Sequence, residues 1–88
     1  MQDKYKKKLI NHLHRIKGQV EGIERMVEAN KYCVDVITQS LAVEKSLQGF
    51  NADLLENHLT EHASFQFSHH QSQKAVKELV KIYNLANK

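Results

Sequence analysis

No proline occurs in this chain, and only three glycines, Gly18, Gly22 and Gly49, interrupt it. Proline ends helices and glycine supplies tight turns, so a chain without the first and nearly without the second has little material for hairpins or sheet. The positions are filled instead by Lys, Glu, Gln, Leu and Ala, which favour helix. An all-α fold is the expectation. At 88 residues the chain makes one small domain, residues 1–88, near the size where a monomeric core is only marginally sufficient.

Apolar periodicity divides the chain into three helices. From about Asp3 to Ala29, Leu9, Leu13, Ile16, Val20, Ile23 and Val27 recur at alternating steps of four and three. That is a heptad seam on an amphipathic helix. Asn30 is the expected stop, because Asn tolerates the left-handed backbone of a helix end. From about Tyr32 to His62 there are two stripes. One holds Val36, Val43, Leu47, Phe50 and Leu54; the other holds Val34, Ile37, Leu41, Leu55 and Leu59. Two stripes imply two neighbours, so this helix belongs inside a bundle. Residues 63–68 read as irregular, and Ser68 with Gln71 reads as a capping box opening a third helix with Val76, Leu79, Val80 and Tyr83 on its apolar side. The first two helices are expected to run antiparallel, and so much apolar stripe predicts an oligomer.

Charge is unevenly spread. Residues 1–32 carry eight Lys/Arg against four acids, residues 33–62 one Lys against five acids, and residues 63–88 four Lys against one acid. The basic N-terminal part suits a polyanion, DNA or RNA. A single cysteine excludes an intrachain disulfide and fits a reduced, cytoplasmic protein. No apolar run approaches membrane-spanning length, and a signal peptide is not expected.

The chemistry-bearing residues are Cys33, His58 and His62. The two histidines are four apart, so a helix turns both imidazoles the same way. A thiolate with two imidazoles suits Cu(I), Zn or Ni rather than Mg or Ca. Cys33 precedes His58 by 25 residues, which on one helix is roughly 37 Å. One chain then cannot close the site, whereas two antiparallel copies can. A catalytic zinc pattern H-E-x-x-H is absent, since Asn57 and Thr60 stand around these histidines, and a thin bundle offers no cleft for a nucleophilic cysteine. An enzyme is not expected. His69 and His70 point about 100° apart on a helix and read as surface residues. Tyr5, Phe65 and Phe67 read as packing groups.

The segments Arg15-Ile16-Lys17-Gly18-Gln19-Val20-Glu21-Gly22-Ile23, Arg25-Met26-Val27-Glu28, Tyr32-Cys33-Val34-Asp35-Val36 and Asn57-His58-Leu59-Thr60-Glu61-His62 resemble the CsoR/RcnR family of bacterial metal-sensing repressors. The resemblance covers about residues 4 to 85. It implies an all-helical dimer packed as a four-helix bundle, two dimers pairing into a tetramer, and operator DNA bound by the apo form and released on metal binding. Cys33, His58 and His62 fall on the family's metal positions, and Tyr32 and Glu78 match residues linked to the ligand histidine by hydrogen bonds. Nickel and cobalt members carry an N-terminal histidine where this chain has Met1, so the resemblance favours Cu(I), with Zn, Ni or Co as alternatives. The DNA contacts it implies are Lys4, Lys8, Arg15 and Lys17, with His12 standing where the family usually has arginine or lysine. An arginine of the family's second helix corresponds to Gly49 or Glu44 here. The competing readings are a Ni, Co or Zn sensor of the same family, and a metal-binding helical scaffold with no DNA role.

Overall fold

Two helices of 26 residues each, α1 (Asp3–Glu28) and α2 (Cys33–His58), account for most of the chain. In the computed structural model a π-helical turn (Leu59–Ala63) follows, then a short α3 (Ser64–Ser68) and α4 (Ser72–Ala86). The structure describes residues 1–62 and 65–88 fully, and residues 63 and 64 by their place in the helices. No strand occurs among the described residues, so the fold is all-α. No helix among them is long and apolar enough to cross a membrane. The chain forms two compact units, Met1–Leu55 and Glu56–Lys88.

In the first unit the helices are antiparallel. Lys8 of α1 meets Asp53 of α2, and His12 meets Ser46 and Phe50, so rising numbers on one helix pair with falling numbers on the other. The join between them is a Schellman closure. The amide of Lys31 donates to the carbonyl of Met26 and that of Asn30 to Val27, with Asn30 in the left-handed region at φ 53°. This is the stop expected at Asn30. The carbonyl of Tyr32 then accepts the amides of Asp35 and Val36, starting α2, and the Asp35 carboxylate complements the positive helix end.

Leu9 and Ile16 of α1 and Val43 of α2 are the buried apolar side chains of this unit. The seam is rotated from the one the periodicity suggests. Leu13, Val20 and Val27 are exposed, while Tyr5, His12 and Met26 are half-buried in their stead. A heptad row drifts by about 20° per repeat on a straight helix, so one neighbour cannot cover the whole stripe. α2 covers the Leu9–Ile16 side and leaves the row of Leu13, Val20 and Val27 open.

The second unit corrects two expectations. Residues 64–68 are helical rather than irregular. Ser68 does not open the last helix: its hydroxyl donates to the carbonyl of Phe65, three residues back, at the end of α3. The left-handed residue there is His70, at φ 61°, and the Gln71 amide reaches the Gln66 carbonyl at 2.6 Å. This closure repeats the one at Asn30, so the polar run that reads as a cap works as a terminator. α4 starts instead when the Gln71 carbonyl accepts the amide of Ala75, whose side chain is wholly buried. His69 stacks on Phe65 at a centroid separation of 3.8 Å. Both are exposed.

Candidate metal centre and nucleic-acid face

His58 ends α2, and His62 lies in the π-helical turn that follows. The turn has a local cause. The Thr60 hydroxyl donates to the carbonyls of both Glu56 and Asn57, at 3.1 Å each, and so competes with the regular ladder. π-turns of this kind recur at functional sites. The outcome is a pair of stacked imidazoles, centroids 5.4 Å apart and planes 30° from parallel. The expectation that His58 and His62 face the same way is met, although the backbone between them is not a regular α-helix.

Glu78 of α4 places a carboxylate oxygen 3.3 Å from Nε2 of His58. That nitrogen is buried and has no aligned hydrogen-bond partner, so the contact is an electrostatic one at ion-pair distance. A carboxylate facing Nε2 favours the tautomer protonated there, which leaves the lone pair of Nδ1 free to bind a ligand. His62 is exposed. One imidazole is thus oriented by its neighbour and the other is turned to solvent.

Cys33 is a free, exposed thiol at the first position of α2, with Tyr32 exposed immediately before it. Among the described residues no three His, Cys, Asp or Glu side chains of one chain converge on a metal-sized site. α2 is a single helix of 26 residues, so its first and last residues are roughly 37 Å apart along its axis. They are also on nearly one side of it, since 25 steps of 100° fall about 20° short of seven whole turns. The donors fit a soft or borderline metal: an accessible thiol and two stacked imidazoles.

Of the residues expected at nucleic acid, Lys4, Lys8, Arg15 and Lys17 are exposed on α1. Steps of four and seven place Lys4, Lys8 and Arg15 on one face, while Lys17 lies roughly 160° around from Arg15. The Lys8 ammonium is 3.9 Å from the Asp53 carboxylate, a surface pair of small energetic weight. His12 is turned inward. Its Nε2 lies 3.1 Å from the Ser46 hydroxyl, and its ring meets Phe50 edge-on at 6.0 Å. Gly49 sits beside it, and a methyl there would touch the imidazole at an ordinary 3.7 Å. The imidazole therefore pins α1 to α2. Ser46 and Thr60 are the site residues that sequence reasoning missed. A serine four residues before Phe50, beside an apolar stripe, is the signal that could have found Ser46.

Comparison with known proteins identifies the family. The family model described as metal-sensitive transcriptional repressor matches residues 5–84. The copper-sensing transcriptional repressor CsoR of Bacillus subtilis is 35% identical over 80 residues, covering 91% of this chain and 79% of that protein. The copper-sensing transcriptional repressor RicR of Mycobacterium tuberculosis is 47% identical over 58 residues, which are 66% of this chain and 56% of that one. A crystal structure of the copper-sensing repressor CsoR with Cu(I), from Geobacillus thermodenitrificans, superposes with a TM-score of 0.95 at 27% identity over 100% of this chain and 92% of that one. These relatives are regulators, not enzymes. The chain belongs to the family of metal-sensitive transcriptional repressors.

Proposed function

We propose that this chain is a copper-responsive repressor that holds operator DNA in its metal-free form and releases it when Cu(I) is captured between two chains. Cys33 of one chain and His58 and His62 of its partner are the ligands. The observation that carries this reading is the placement of Cys33 and His58 at opposite ends and on nearly one side of α2. Two α2 helices running antiparallel about a two-fold axis bring each cysteine to the other chain's histidines. Val34, Ile37 and Leu41 are exposed along the same helix, and such a pairing covers them.

Cu(I) supplies a soft centre that takes one thiolate and two imidazoles. The chain's own contribution is orientation. The Glu78 carboxylate favours the His58 tautomer protonated on Nε2, which would leave Nδ1 to the metal, and its contact with the ring ties His58 to α4. Lys4, Lys8, Arg15 and Lys17 neutralise phosphates in the metal-free state. Zn, Ni and Co are the competing metals, and a metal-binding scaffold with no DNA role is the competing function.

One experiment separates these readings. The apo protein is mixed with a labelled duplex from its own upstream region, and Cu(I), Ni(II) or Zn(II) is added in turn. Cu(I) is expected to weaken binding by about 5- to 150-fold, the usual range of allosteric coupling, and the other metals by much less. A larger response to another metal transfers the assignment to that metal. Failure of the apo protein to bind any duplex favours the scaffold.

A further inference from the structure

α4 presents a second charged face that the metal site and α1 do not use. Its inner side is made by buried Ala75 and half-buried Leu79. Its one acid, Glu78, is turned to His58. Lys74, Lys77 and Lys81, at steps of three and four, lie within about 60° of one another on the helix, and all three are exposed. Lys88, just past the end of α4, joins them along an open groove lined by Lys77, Val80, Lys81, Asn84 and Leu85. Among the described residues no carboxylate pairs with any of these four lysines.

Like charges three and four apart repel along a helix, and an external polyanion converts that repulsion into attraction. The face is built of ammonium groups with no aromatic ring lining the groove, so it offers point charges for phosphates and no platform on which bases stack. We propose that the lysine face of α4 is a second phosphate-contacting surface that grips the backbone of duplex DNA without reading its sequence. This rests on the reading that the chain binds DNA. It also makes α4 the helix that carries both the contact to His58 and part of the grip on DNA.

The test is the salt dependence of DNA binding by the full-length apo protein, followed by fluorescence anisotropy with a duplex from its own upstream region between 50 and 200 mM KCl. Each phosphate contact contributes about 0.9 to the slope of log K against log salt. The double variant Lys77→Gln/Lys81→Gln is expected to flatten the slope by about 2 for each chain engaged. Lys77→Arg/Lys81→Arg is expected to keep it, and helical content and Cu(I) loading are expected to be unchanged in both. Wild-type binding with an unaltered slope in the Gln variant overturns the proposal alone. Loss of adhesion to phosphatidylserine vesicles, with the DNA slope unaltered, overturns it in favour of a membrane surface. If the wild type binds no duplex at all, this proposal and the DNA-binding reading fall together.

Discussion

Replacing Cys33 with alanine is expected to lower Cu(I) affinity by more than about a hundredfold while leaving helical content and oligomeric state as they are. Residues that merely orient a metal ligand cost about 10- to 100-fold when removed, and Cys33 supplies the only thiolate. The thiol is exposed, so the stability change should stay within about 0.5 kcal/mol. Alanine is also a better helix former than cysteine at the start of α2. The variant should still bind operator DNA, and Cu(I) should no longer release it. Competition against a Cu(I) chelator, with circular dichroism and sedimentation on the same samples, measures all of this. An unchanged Cu(I) affinity, or an oligomer that dissociates, would mean that Cys33 is a packing residue.

The second large effect is expected at Leu41. This side chain is 56% exposed, between Ile37 and the middle of α2, on the stripe that the hairpin with α1 leaves open. In a single chain, Leu41→Asp places a carboxylate in water at little cost. In an antiparallel pair of α2 helices it places two carboxylates in an apolar interface, where unpaired burial costs several kcal/mol. Sedimentation should therefore show monomers that keep their helical content. Tight Cu(I) binding should disappear although Cys33, His58 and His62 are all present. A monomer that still holds Cu(I) tightly would show that the three ligands meet within one chain.

The three long helices were legible because their signals are local. Missing proline, apolar steps of three and four, and the Asn30 stop each act over a few residues, and Asn30 adopts the left-handed backbone expected of it. The pairing of His58 with His62 was legible for the same reason. What escaped depends on competition between groups. Thr60 diverts two carbonyls and widens the turn, and nothing in a four-residue spacing reveals that a hydroxyl will do so. Ser68 carries the side chain of a helix start, yet a left-handed His70 makes the segment a helix end. The inward turn of His12 follows from which part of a wide apolar stripe α2 covers, a choice made by packing rather than by period. His12 is thus a residue that serves the hairpin rather than a free surface group.

The division of the metal site between chains is tested most directly by mixing two variants that are each dead alone. Cys33→Ala retains the histidines, and His58→Ala/His62→Ala retains the thiol. Unfolded together in equal amounts and refolded, half of the dimers pair unlike chains, and each such dimer regains one complete site. The account predicts recovery of about one tightly bound Cu(I) per four chains, with none for either variant by itself. Mixtures that bind no more Cu(I) than the separate variants would contradict it, because the ligands would then have to come from a single chain.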